Sequence, residues 1–305
     1  HALSGRFDLY DASTKGTITQ VTTPPSMGFS SYMANLGEVQ NKGWELYLNG
    51  RVWQEKKTAS YVNLYANVSN NTNKLVKISN SLKTVNDKTD AQYDKDATLT
   101  AIPTRYEEGS SLNTIWAVRS LGIDPQTGKE VFLKKDGTQT YKWSASDLVD
   151  CGNALPTLNG SFGLNAEYKG IGLSVGFIWQ TGGQLYNTTL LNKVENADVR
   201  LNVDARVLSD RWTTPGQPAL YKAANDNSST QPTSRFVQDY SLMQLSNCNV
   251  YYDFKHCNFM KHCFLDKLKA TFYMNDLATW SNVKVERGTA YPYAKSFNFS
   301  IQAIF

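Results

Sequence analysis

The sequence predicts an all-β fold, a transmembrane antiparallel β-barrel with about eight strands in this chain. Three observations carry that reading. Apolar and polar residues alternate with period two in segment after segment. Long polar connections and short turns largely take turns along the chain. No apolar run approaches the roughly 18 residues that a membrane helix requires.

The last eleven residues, 295–305, show the pattern most clearly. Phe297, Phe299, Ile301, Ala303 and Phe305 fall on one face, and Ser296, Asn298, Ser300 and Gln302 on the other. Strand side chains point alternately to opposite faces, so this strand has one apolar side and one polar side. A soluble sandwich strand can show the same alternation, and the rest of the chain decides between the two.

Phe7 and Leu9 alternate with Arg6, Asp8 and Tyr10, a short strand followed by an expected loop from Lys15 to Ala34 containing Pro24-Pro25. Next, Trp44, Leu46, Leu48 and Val52 oppose Glu45, Tyr47, Asn49 and Arg51; a turn at Glu55–Thr58 leads to Val62, Leu64, Ala66 and Val68. Residues 80–156 read as a long excursion: Asn80 to Ala97 is polar with almost no apolar period, Leu112 to Ile123 has β character, and turns fall at 123–129 and at Asp136-Gly137. The alternation resumes with Phe162, Leu164, Ala166 and Tyr168, turns at Lys169–Gly172, and returns through Leu173, Val175, Phe177 and Trp179. A second long loop spans 183–235. Cys248, Val250, Tyr252 and Phe254 form a strand face, Lys255 to Asp266 a turn region, Leu268, Ala270, Phe272 and Met274 another face, and 281–294 a last loop.

Lipid cannot hydrogen-bond to backbone, so strands that cross it must pair edge to edge around a closed ring. Outward positions are then apolar and inward ones polar. An outer-membrane barrel also sorts its connections, with short periplasmic turns and long external loops. A soluble sandwich has no reason to do so.

The hydrophobic share is 41%, the charged share 19% and the net charge +4. The charge is too small and scattered for a nucleic-acid partner. Cys151 stands apart from Cys248, Cys257 and Cys263, so no disulfide framework is legible. His256-Cys257 and His262-Cys263 admit metal binding, but their spacing matches no zinc module. Asp87, Asp90, Asp94 and Asp96 with Glu107-Glu108 lack calcium-loop spacing and read as a solvated face. No metal or cofactor is expected. No nucleophile elbow, phosphate loop or catalytic carboxylate pair appears, and no enzymatic activity is expected. The start at His1, directly before strand-like sequence, is expected of a fragment or a processed product.

Several stretches together resemble the SusC/RagA-type TonB-dependent outer-membrane transporters. They are Phe29–Tyr32, Ala34–Glu45 with its Asn41-Lys-Gly-Trp-Glu45, Gly122–Gly128, Ala154–Pro156 leading to Gly160–Phe162, Tyr168–Gly170, Gln180–Gly183, Tyr291–Phe297 and the terminal Phe305. The resemblance covers the family's C-terminal barrel portion, the last third or so of roughly 22 strands. The region from His256 to Asp266 departs from the family's tight turn, and the 283–290 loop looks short. The resemblance implies a Gram-negative outer-membrane location and uptake of glycans or peptides under a SusD-like surface lipoprotein lid. It further implies a plug domain, the remaining barrel and energy coupling to the TonB complex through N-terminal parts not in this chain. Phe305 would then be the barrel-assembly signal.

In the expected external loops, Tyr93, Tyr106, Trp116, Trp143, Trp212 and Tyr221 are candidates for stacking on substrate or contacting the lid, with loop packing as the alternative. Trp44, Leu173, Phe177, Trp179, Tyr252 and Phe299 are expected at the outer-membrane lipid face or its interfaces. Two competing readings remain: a self-contained eight-stranded barrel acting as adhesin or passive pore, and a secreted β-rich glycan-binding or hydrolytic domain.

Overall fold

The computed structural model describes residues 2–22, 31–198, 200–262, 264–284 and 295–305. Phe29-Ser30, Cys263, Tyr291–Ala294 and most of the expected 281–294 loop lie outside the described residues.

Eight long strands form one antiparallel sheet, the wall. They are β1 (Leu3–Thr22), β2 (Ser31–Glu55), β3 (Ser60–Ile78), β8 (Leu158–Tyr168), β9 (Ile171–Tyr186), β10 (Val237–Asp253), β11 (Lys267–Ser281) and β12 (Ser296–Ile304), in that spatial order. The intervening β4 (Thr114–Ile123), β5 (Glu130–Leu133), β6 (Gln139–Thr140) and β7 (Leu148–Asn153) form a separate four-stranded sheet ordered β6-β5-β4-β7. Since every neighbouring wall pair is antiparallel, the turns after β2, β8 and β10 fall at one end. The longer connections after β3 and β9 fall at the other end. The sheet is open, with β1 and β12 as its edges.

Register keeps the two faces separate across the whole wall. Leu3, Gly50, Leu64, Leu164, Val175, Cys248, Met274 and Phe297 are successive cross-strand partners, a single row through all eight strands. One residue along, Arg51, Asn63, Asn165, Ser174, Asn249, Tyr273 and Asn298 make the corresponding polar row. A one-residue slip would exchange the faces. Sequence alone misplaces one side chain: a register shift between Arg51 and Trp53 sets Trp53, not Val52, opposite Val62. A bulge adds a residue and so reverses the parity beyond it.

The strands are longer than the alternation indicates. The stretch expected as loop from Lys15 is paired strand to Thr22, and pairing resumes at Ser31. Likewise β9 continues to Tyr186 and β10 begins at Val237. These ends lack the apolar period in sequence although the pairing continues.

Residues 79–157 and 187–236 build a lobe on the loop-bearing end. Asn80–Lys95, read from sequence as an irregular polar stretch, is helix α1, capped by Ser79, whose Oγ accepts from Leu82 N at 3.3 Å. The helix buries only Leu82, Asn86 and Tyr93, too few to print a helical period. Three apolar clusters hold the lobe: Leu75 with Ile78 and Leu82; Leu191 with Val194, Val207 and Phe236; and Val118 with Phe132 and Leu148. Side chains as fully covered as Phe236 and Leu191 stabilise by about 1.5–3 kcal/mol each. Every buried apolar residue among the described residues lies in this lobe or where wall strands meet it.

Candidate functional site

The wall has no buried core of its own. Its apolar face is open: Phe7, Leu48, Leu64, Phe162, Ile171, Val250, Phe272 and Ile301 are all exposed. Phe299 is 66% exposed; Leu173, Phe177, Trp44, Trp179 and Tyr252 are half-exposed, and none is packed inside. A contiguous apolar surface of this extent marks an interaction face. Aromatic residues border it in two bands. Towards the lobe, Trp179 and Trp280 flank Met243 in one row, with Trp44 one step higher beside Phe7. At the short-turn end, Tyr168, Ile171 and Tyr252 share a row, and Trp53 lies 6.4 Å from the Tyr168 ring. Ile171 and Trp179 are eight steps apart on β9, about 27 Å along the strand. At the usual tilt this is about 21 Å along the barrel axis, close to the height of a membrane barrel's apolar band.

The opposite face is polar and internally bonded. Near the lobe, a groove of about 680 Å³ runs between Arg6, Asp8, Glu45, Tyr47, Asn67 and Gln180. Asn67 Oδ1 accepts from Ser161 N at 2.5 Å, and Ser69 Oγ donates to Asn159 Oδ1 at 2.5 Å. Near the short turns, Glu167 accepts from Tyr251 OH at 2.8 Å and from Lys255 Nζ at 2.6 Å, while Lys269 Nζ sits 3.7 Å above the Tyr251 ring. Space for that ring exists because residue 172 is glycine. The sequence signal for this network was available, since Glu167, Tyr251 and Lys269 all fall on polar positions of their strands.

In the lobe, Arg235 links the two long connections. Its Nη2 lies 2.8 Å from Glu130 and 2.6 Å from Glu195, whose side chain is wholly buried. Thr233 Oγ1 donates to Glu130 at 2.6 Å and Thr230 Oγ1 to Glu195 at 3.1 Å. Burial works against the guanidinium charge, but the Glu130 and Glu195 carboxylates outweigh it and hold the Arg235 pKa above its ordinary value. Burial has the upper hand at Lys222, whose pKa is lowered although its Nζ reaches Asn196 Oδ1 at 3.3 Å and also Ser228 O. Nothing in the sequence marks these partners, which are 40 and 105 residues from Arg235.

The six aromatic candidates are mostly packed within the lobe rather than offered to a ligand. Tyr93, Trp116 and Tyr221 are buried. Tyr93 OH donates to Ala101 O at 2.7 Å, and its ring is 6.2 Å from Trp143. Trp143 Nε1 donates to Pro232 O at 2.9 Å. Tyr106 packs against the Leu75–Leu82 cluster, and Trp116 has Arg105 5.8 Å over its ring. Trp212 is half-buried over Gly128, with Nε1 donating to Pro125 O at 2.7 Å. The physical reason is common to all: a lobe without a wall behind it must build its core from the aromatics it has. Tyr221 and Tyr93 OH pKa values are raised by that burial. No cluster of three or more metal-ligating side chains occurs among the described residues.

No family model matches the chain. It is 27% identical over 296 residues to TonB-dependent receptor P26 of Formosa agariphila, which covers 90% of this chain and 28% of that protein. TonB-dependent receptor P3 of the same organism is 25% identical over 265 residues. The chain therefore spans less than a third of the curated relatives it matches. In fold it follows the RagAB peptide importer in the open-open state, with TM-score 0.74 at 23% identity over 99% of this chain and 33% of that one. The RagAB peptide transporter gives 0.71 over 93% of this chain. The chain is thus similar in sequence to TonB-dependent receptors and in fold to the RagAB importer. Its eight-stranded antiparallel sheet matches a portion of the RagAB barrel fold, and no helix among the described residues is long and apolar enough to cross a membrane.

Proposed function

We propose that this chain supplies part of the barrel of an outer-membrane nutrient importer, its apolar face in lipid and its polar face toward the import path. The observation that carries the reading is the register-matched row from Leu3 to Phe297, none of it buried, backed by a row of polar side chains. A water-soluble domain would hide that row against a second layer. The lobe then stands outside the cell, and Phe305, 86% exposed at the end of the wall, serves as the assembly signal.

RagAB is a peptide importer, and peptides or glycans are the substrate classes proposed for this chain's receptor. A SusD-like lipoprotein would close over the lobe, with plug and TonB coupling supplied by the rest of the receptor. Since Tyr93, Trp116 and Tyr221 are buried, the more exposed Trp212, Tyr106 and Trp143 are the better candidates for reaching lid or cargo. The self-contained barrel finds no support in an open sheet whose edge groups, placed in lipid, would have no partners.

Uptake by cells expressing the full-length receptor tests this. Labelled peptides or oligosaccharides should enter only while the inner membrane is energised, and a surface lipoprotein should co-purify. Uptake unaffected by an uncoupler would instead indicate a passive pore.

A further inference from the structure

The connection between β10 and β11 is unlike the other two short turns. Four residues, Lys56–Ala59, join β2 to β3, and Lys169-Gly170 suffice between β8 and β9. Here the chain takes 254–266, in two short helical turns, Phe254–His256 and Asn258–His262. A hairpin needs no such length, so the extra residues call for another role.

Their side chains extend the wall's apolar face beyond the last strand row. Tyr252 packs edge-on against Phe254 at 4.7 Å, and Phe254 packs edge-on against Phe259 at 5.7 Å. The ladder thus runs from the outer face of β10 onto the turn. Phe259 is 44% exposed and Phe264 is 98% exposed. Asp266 N donates to Ile304 O at 2.8 Å, which sets this end of the turn beside the exposed Phe305. Through 254–265 the sequence contains Lys255, His256, Lys261 and His262 and no carboxylate.

We propose that this turn is a membrane foot, a site that meets the phospholipid of the periplasmic leaflet, with Phe259 and Phe264 at the headgroup–acyl boundary. Aromatic side chains favour that boundary because one part stays apolar and the surroundings stay wet. Continuity with the apolar wall identifies the occupant: a surface that begins in hydrocarbon at Tyr252 meets headgroups as it leaves the strand. The inference rests on the lipid-facing reading of the wall.

The test uses the full-length receptor in nanodiscs made with phospholipids brominated high on the acyl chain, which quench nearby indoles. The native wall residues Trp179 and Trp280 report on the wall, and Phe264→Trp adds a reporter on the turn. The expected result is quenching of the added fluorescence by at least half, on top of the quenching of the parent. Quenched wall tryptophans with an unquenched turn would overturn the foot and leave the wall reading intact. If neither is quenched, both fail. Phe259→Trp gives the same readout should Phe264→Trp not assemble.

Discussion

The Tyr251 ring occupies the place where a side chain on Gly172 would be: a Cβ built there lies 1.9 Å from the ring's Cζ. The two residues are direct cross-strand partners on the polar face. Gly172→Ala should therefore displace the ring and with it the hydrogen bond to Glu167. Overpacking of this kind costs about 1–3 kcal/mol. The folded-to-unfolded transition on a heat-modifiable gel should fall for Gly172→Ala, while Gly172→Ala with Tyr251→Ala should lose less than the sum of the two single changes.

Neighbours on opposite faces should respond oppositely to charge. Leu64 belongs to the apolar row and Asn63 to the polar row. Leu64→Arg should cost about 2–4 kcal/mol near the membrane midplane and deplete assembled receptor in the outer-membrane fraction. Asn63→Arg should assemble normally.

Removing Arg235 would leave Glu130 and Glu195 together and buried without their counter-charge. Arg235→Met should destabilise the lobe by about 3–5 kcal/mol and open it to limited proteolysis. Arg200, an exposed partner of Asp198, offers the contrast: Arg200→Ala should leave the proteolysis pattern unchanged.

Cys151 on β7 gives the pH prediction. Burial raises its thiol pKa, and the Sγ lies 3.4 Å from Ala117 O. The thiolate is the reactive form. In the folded receptor, alkylation of Cys151 should lag a free thiol through neutral pH and catch up only at more alkaline pH; denaturant should restore the ordinary profile. The sign for stability follows. The folded state keeps the proton longer than the unfolded chain, so this group's contribution is complete below the ordinary thiol pKa and is lost as pH rises through the folded value.

The wall was legible because its two faces place opposite demands on alternate residues, as in the Phe297–Phe305 strand. Beyond that stretch, at Thr17–Thr22 or Val237–Tyr240, the alternation fades although the pairing continues, and Val237 packs against an apolar cluster of the lobe. Val52 was misplaced because a bulge leaves no mark in composition. In the lobe, α1 buries three residues out of sixteen, and the partners of Arg235 depend on where two distant connections meet. The aromatic candidates fall in the lobe, but a tryptophan that stacks on cargo and one that fills a core look alike in sequence.

The Arg235 junction also bears on how the receptor is put together. Glu130 arrives on the first excursion from the wall, Glu195 and Arg235 on the second, and Arg235 stands two residues ahead of β10. Zipping β10 onto β9 is what delivers the cation to its two waiting acids. A chain halted before that step would carry an unlatched cap, so completion of the lobe reports that the strands beneath it have already been joined.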